Sequence, residues 1–387
     1  MTESAERAFS VRPFPSRHLR RRFARMLTVV KFHGYRGFES YSMTGLAQVN
    51  LLVGRNNSGK TSLLEGLRIL ATGGDPEVLA EVARDRGETI TTSAELPALI
   101  DPSHFFFGHA LTTESSFRIE SEGEFGTVAV RVIDIEPKSA SSEVVRSGPA
   151  IQIKRSSSQG DAVHLMSLTR SGGVDVASGT TSGPRRLLPT RRPSSSRARF
   201  VGTQSWETWT IAQAWDEVTV SGKEDEVTQA LQILEPGVRS VRMLGGVIAA
   251  GHSASRAGFV VGLEGRERRI PIGSMGDGVR RLLVLAAAVA CAKGGALFID
   301  EVDTGLHYSV LHNVWRVLIE RAIASDVQIF ATTHSWDCID GLAKVAQAHG
   351  ELASRIAVHK IDPRLSHSVP FAGASLYNML RHDVDPR

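Results

Sequence analysis

Cysteine is nearly absent: Cys291 and Cys338 are the only two in 387 residues, and they lack the spacing of a metal-ligand set. Both sit in apolar surroundings and read as buried free thiols, which points to a reducing, cytoplasmic compartment. Long apolar runs are missing as well. The longest, Leu282 to Ala292, falls well short of the roughly 20 residues that cross a bilayer, so no membrane partner is expected. No unit of fixed length repeats and no heptad pattern is sustained, which excludes a solenoid or a long coiled coil. A net charge of +4 is modest for this length and does not by itself establish a nucleic-acid binder.

What is present begins with "NLLVGRNNSGKTSLLEGL", residues 50 to 67. Val49, Leu51, Leu52 and Val53 read as a short buried strand, and Leu63, Leu64, Leu67 and Leu70 recur at the spacing of one helix face. Between them Gly54, Gly59, Lys60 and Thr61 match G-x-x-x-x-G-K-[ST]. Such glycines let successive backbone N–H groups curl into an anion nest, which the positive end of the following helix reinforces. Lys60 is placed to reach the outer phosphates and Thr61 to ligate Mg²⁺, with Ser62 beside them.

Three later stretches carry complementary chemistry. "GALFIDEVDTGLH" is an apolar strand ending in Asp300 and Glu301, at the carboxyl end where open α/β sheets bind ligands. There Asp300 can complete the Mg²⁺ shell and Glu301 can polarise an attacking water. "VQIFATTHS" is a second buried strand, ending at His334, which can sense the terminal phosphate. "PIGSMGDGVRRLL" places Ser274 and Gly276 before an apolar helix, another anion site. In the same subunit it would be redundant, so it is expected to cap a phosphate held by a second copy.

The remainder organises around these motifs. "MLTVVKFHGYRGFESYSM" reads as two strands joined at "GYRG", so residues 26–73 form one α/β unit. Residues 74–170 read as a helix and then an antiparallel β lobe, and 171–199 as an Arg/Ser/Pro-rich loop. Order resumes at Phe200 and runs through 200–387. Basic residues crowd the leader 1–25 (Arg12, Arg17, Arg20, Arg21, Arg22, Arg25) and the loop (Arg185, Arg186, Arg191, Arg192, Arg197, Arg199). Either is a solvated segment or a phosphate-backbone contact. The leader lacks the apolar core of a signal peptide, and Met26 is an alternative start.

In this order the elements resemble the ABC-type ATPase head of the RecF, SMC and OLD group. "GRNNSGKTS" stands as Walker A, "GSMGDGVRRLL" as a divergent signature, "ALFIDE" as Walker B, "TGLH" as the D-loop and "ATTHS" as the histidine switch. "DEVDTGLHYS" and "FATTHSWDCI" are most similar to stand-alone OLD-like ATPases, a group that includes subunits of phage-defence systems. The resemblance implies an α/β head with a mixed central sheet and an inserted antiparallel β lobe. It implies a phosphate cradle of Gly54, Asn56, Asn57, Ser58, Gly59, Lys60, Thr61 and Ser62. ATP and Mg²⁺ are the implied ligands, with Thr61 and Asp300 on the metal and Lys60, Glu301 and His334 catalytic. It further implies a homodimer with two ATP molecules between its heads, each nucleotide met by Ser274 and Gly276 of the other copy. A separately encoded nuclease effector and DNA are the other expected partners. The 53 residues after His334 are expected to be too few for a Toprim nuclease domain, which leaves the "DVD" at Asp383 to Asp385 as a charged tail. A RecF-like repair protein and a transporter nucleotide subunit are the alternative readings.

Overall fold

Period-two alternation sets the first two strands. In β1 (Val29–Tyr35) Val30, Phe32 and Tyr35 are buried while Lys31 and His33 face solvent; in β2 (Phe38–Thr44) Tyr41 and Met43 are buried beside them. This is the signature of a sheet with one wet face. β3 (Val49–Val53) is buried at every position, as a parallel strand covered on both faces must be. The computed structural model describes residues 26–91, 99–135, 148–158, 160–174, 180–181, 198–203, 208–244 and 258–382.

After β3 come α1 (Lys60–Ala71) and α2 (Pro76–Asp85), the latter capped by the Asp75 carboxylate, which accepts from the Glu77 N–H at 3.0 Å. The short β4 (Thr89–Ile90) and β5 (Leu99–Ile100) pair with each other. The expected β lobe follows as β6 (Ser116–Ser121), β7 (Thr127–Ile135), β8 (Gly148–Ser157), β9 (Gly160–Ser167) and β10 (Thr180–Thr181). Then come β11 (Ala198–Val201), α3 (Thr208–Val220), α4 (Glu224–Leu231), β12 (Val238–Leu244), β13 (Gly258–Leu263) and β14 (Ile270–Pro271). The chain ends in alternating elements: α5 (Asp277–Cys291), β15 (Ala296–Ile299), α6 (Tyr308–Ser325), β16 (Gln328–Thr333), α7 (Trp336–Ala348), α8 (Gly350–Ala353), β17 (Ile356–Lys360), β18 (Val369–Ala372) and α9 (Gly373–Arg381).

Two large sheets result. One is mixed, in the order β11-β15-β16-β3-β17-β18, parallel throughout except for the antiparallel edge strand β18. The other is antiparallel, in the order β10-β9-β8-β7-β6-β1-β2. β1 and β2 thus extend the sheet of the β lobe, while β3, which follows them directly in sequence, joins the mixed sheet. α1 lies between the two sheets. Its Gly66 is so close to β1 that a methyl group there would come within 2.7 Å of the Phe32 ring. Leu52, Phe298 and Phe330 face this shared core, and Leu51, Leu297 and Ile329 face the opposite core built on α5, α6 and α7.

The strand expected from Phe200 starts two residues earlier, at Ala198, because Ala198–Val201 pairs in parallel register with Ala296–Ile299. Arg199 is therefore part of a strand, and its guanidinium is ion-paired with Glu217 of α3. The other arginines of the 171–199 loop singled out above, the 1–25 leader and Asp383 to Asp385 lie outside the described residues. Among the described residues no helix is long and apolar enough to cross a membrane. Cys338 is fully buried and Cys291 half-buried, both as free thiols.

One buried titratable group sits in the mixed sheet. His359 of β17 is fully buried, with Nε2 3.4 Å from Asn50 Oδ1, and burial pushes its imidazole down from 6.5 to about 4. The unfolded chain takes up this proton near pH 6.5 and the folded chain only near pH 4, so stability falls as pH drops through that window. Urea denaturation should show the wild type losing about 2 kcal/mol more than His359→Gln between pH 8 and pH 5. Equal losses would remove His359 as the cause.

Candidate functional site

The loop between β3 and α1 closes only with glycine at its two ends. Gly54 has φ 155°, and a methyl group on it would lie 2.6 Å from the Ile361 carbonyl oxygen; Gly59 has φ 93°, and a methyl group there would lie 2.4 Å from the Phe38 ring. Asn57, at φ 62°, makes the turn between them. No side chain caps the N-terminus of α1, so its first N–H groups stay available to an anion. The Ser58 hydroxyl is buried without a hydrogen-bond partner among the described residues. Lys60 Nζ donates to the carbonyls of Gly54 and Arg55, each at 2.8 Å, and so folds back over the loop. Burial pulls its pKa down, and Asp300 and Glu301 pull the other way.

The carboxyl ends of β15 and β16 complete the arrangement. Thr61 Oγ1 is 3.1 Å and 3.2 Å from the two Asp300 carboxylate oxygens, although 239 residues separate them in sequence. β16 lies between β15, which leads into Asp300, and β3, which leads into the loop before Thr61, and contributes Thr332, whose hydroxyl donates to Asp300 Oδ1 at 2.5 Å and accepts from the Glu301 N–H at 2.8 Å. Glu301 holds a left-handed backbone, φ 47°. Its carboxylate accepts from Thr304 Oγ1 at 3.2 Å and stands 3.7 Å from His334 Nδ1. A neighbouring pair, Thr333 Oγ1 donating to Asp303 Oδ1 at 2.6 Å, anchors the loop that follows Glu301.

Oxygen donors thus converge at Thr61 and Asp300, the chemistry a small hard cation requires. Among the described residues no group of three or more His, Cys, Asp or Glu could hold a metal, so a cation here would take its remaining oxygens from phosphates and water. Ser274 and Gly276 lie elsewhere, on the exposed turn before α5, where Gly276 has φ 89°. Among the described residues no hydrogen bond joins them to the phosphate loop, and Gly278 just beyond packs against Gly305 and Leu306.

Sequence reasoning missed two buried arginine networks. Arg281 of α5 is fully buried and donates to the carbonyls of Gly202, Asp300 and Glu301 at 2.9, 3.1 and 2.9 Å. Burial pushes its pKa down to about 10 against the pull of Asp303, Asp300 and Glu301. The available signal was a charge on the buried stripe with Leu285 and Ala288. Arg36, in the "GYRG" turn, pairs with Glu65 at 3.1 Å and Glu88 at 2.6 Å; Arg86 pairs with Glu65 at 2.7 Å and donates to Ser62 Oγ at 3.1 Å. Burial pushes the Glu65 carboxyl up, and Arg36 and Arg86 pull it back. This chain of charges braces the first turn of α1.

Residues 220–337 match the family model described as "AAA domain, putative AbiEii toxin, Type IV TA system". That span holds Ser274, Asp300, Glu301 and His334 but not the phosphate loop. An uncharacterized protein of Methanocaldococcus jannaschii, MJECL11, is 34% identical over 76 residues, which cover 20% of this chain and 67% of the relative. The chain belongs to the family of that archaeal protein. An "ATP/GTP phosphatase" of Helicobacter pylori is 30% identical over 86 residues, 20% of this chain, and the chain spans 22% of that relative. Two solved structures are similar over 89% of this chain and 98% of their own: an SMC head bound to the C-terminal winged helix domain of ScpA, at 12% identity and TM-score 0.46, and the SMC head domain from Thermotoga maritima, at 15% and 0.41. Residues 220–337 are thus similar to an AAA domain, and the phosphate loop that shares their site lies outside the matched span.

Arg281 ties together three carbonyls at the strand ends, of which the Glu301 carbonyl also accepts from the Thr304 N–H at 3.1 Å, so its loss removes a shared donor from the buried junction. Arg281→Met should destabilise the protein by about 3 kcal/mol in urea denaturation, with Arg281→Lys intermediate because one ammonium cannot span the fork. A loss under about 0.5 kcal/mol for Arg281→Met would show that water replaces the guanidinium.

Proposed function

We propose that this chain binds and hydrolyses ATP, and that closure of two copies over two nucleotides switches a separately encoded effector. The observation that carries the reading is the contact of Thr61 with Asp300 beside the Glu301–His334 pair, at the mouth of a loop shaped for phosphates. Loop N–H groups, the α1 N-terminus and Lys60 bind the phosphate chain, and Lys60 leaves the Gly54 and Arg55 carbonyls to do so. Thr61 and Asp300 are the residues that would hold Mg²⁺, which when bound supplies charge neutralisation on the phosphate oxygens.

Glu301 accepts a proton from water as the water oxygen bonds to the γ-phosphorus; the bond to the β-phosphate oxygen breaks and ADP leaves. Thr304 and His334 flank the carboxylate and orient it. Ser274 and Gly276, remote from their own chain's phosphate loop, meet the γ-phosphate of a second copy across an isologous interface. ATP then favours the closed dimer over the open chains. The effector is proposed to be a nuclease acting in anti-phage defence in the cytoplasm, released or armed when the ATPase engages nucleic acid or a partner bound to it.

Lys60→Ala should lose ATP binding by about a hundredfold or more, while Glu301→Gln should bind ATP in equilibrium dialysis and hydrolyse it at least about a hundredfold more slowly. Near-normal turnover by Glu301→Gln would remove it as the base. Cysteines introduced beside Ser274 and beside Gly54 should crosslink between chains in the Glu301→Gln protein only with ATP and Mg²⁺. Crosslinking that ignores nucleotide would overturn the shared site.

A further inference from the structure

The outer face of the antiparallel sheet, turned away from α1, is concave. A groove of about 730 Å³ runs across β1, β6, β7 and β8, with Gly34, Ser116 and Ala129 on its floor. His33, Arg118, Arg131 and Lys154 rise around it, one from each strand, and the register sets them side by side: His33 is opposite Arg118, which is opposite Ala129, which is opposite Lys154. Arg131 Nε donates to the Gln152 side chain at 2.8 Å, and the Glu120 carboxylate stands 3.6 Å from His33. Among the described residues Arg118 and Lys154 have no carboxylate partner within ion-pair distance, and neither serves the site at the strand ends.

We infer that this groove binds the sugar–phosphate backbone of single-stranded nucleic acid. The inference rests on the nucleic-acid part of the function proposed above and gives it a surface. Arg118, Arg131 and Lys154 on three adjacent strands, with His33 on the fourth, span about 14 Å, three inter-strand spacings of roughly 4.8 Å, the reach of about four phosphates along a stacked strand. Phe117 and Val130 also border the groove, but their side chains are buried toward the sheet's inner face, so the floor offers no deep apolar pocket of the kind that anchors a protein partner. Among the described lining residues Phe117 is buried and His33 is the one exposed ring, so contact is to the backbone and independent of sequence. The sheet's inner face packs on α1 through Phe32, Tyr35 and Ile119, all in contact distance of Gly66. One layer of sheet therefore separates the bound strand from the phosphate-loop helix.

The test is fluorescence anisotropy of a labelled oligothymidine of about 16 nucleotides with the full chain across a salt series. Arg118→Gln with Lys154→Gln should weaken binding about tenfold or more at moderate salt and lower the salt slope by about 1.4, at roughly 0.7 per lost contact to a single strand. Neither residue touches the ATPase site, so basal ATP hydrolysis should be unchanged and reports that the variant is folded. Unchanged affinity and slope in the folded variant would place binding elsewhere and overturn the inference. So would tighter binding of poly-glutamate than of oligothymidine, since the groove would then be a protein site. Oligothymidine binding lost in this variant but kept in Lys60→Ala supports the groove even if no ATP hydrolysis is ever seen.

Discussion

The placement of one helix governs everything else. α1 is packed between two sheets, and its buried glycine, Gly66, lets the rings of Phe32 and Tyr35 approach the helix backbone. The missing side chain leaves room for those rings directly against the helix backbone. Phe38 repeats the device at the helix start, where its ring covers Gly59. With α1 gripped at start and middle, its N-terminus points at the carboxyl ends of β15 and β16. Thr61 can then touch Asp300 without any bond between their strands.

Charge is distributed to hold that geometry. On one side Arg281 ties α5 to the carbonyls of Asp300 and Glu301, so the helix that begins beyond Ser274 and the strand end that carries the acids move as one body. On the other, Arg36, Glu65, Arg86 and Glu88 join the β1–β2 turn to the first turns of α1 and the end of α2. Buried ion pairs of this kind add little net stability against an apolar alternative. Breaking one partner is what costs, because the other is left charged and dry. They therefore act as locks on position more than as sources of stability, one on the acidic strand end and the other on the helix that follows the phosphate loop.

The two faces of the antiparallel sheet divide in the same way. Its inner face is aromatic and aliphatic, with Phe32, Tyr35, Phe117 and Ile119 on α1 and its surroundings. Its outer face carries the cations of β1, β6, β7 and β8. Alternation along a strand makes that separation automatic: each residue added to one face sends the next to the other.

Much of the site was legible because its motifs are local. The phosphate loop from Gly54 to Thr61 needs only the strand before it and the helix after it, and Asp300, Glu301 and His334 follow buried strands whose apolar runs are unmistakable. What the sequence by itself determined is therefore the set of candidate groups and the elements that carry them. It could not say that β1 and β2 leave β3 for another sheet, since two short strands beside a third read as one unit and only cross-strand partners 80 or more residues away decide otherwise. Nor could it assign Arg281 or Arg36, because a charged side chain looks solvated until the fold surrounds it with carbonyls and carboxylates. Thr332 was hidden for the same reason, being a β-former in a strand until β15 sets the Asp300 carboxylate against its hydroxyl. Tertiary structure decided these residues because each acts through a neighbour distant in sequence, and distance along the chain carries no information about contact.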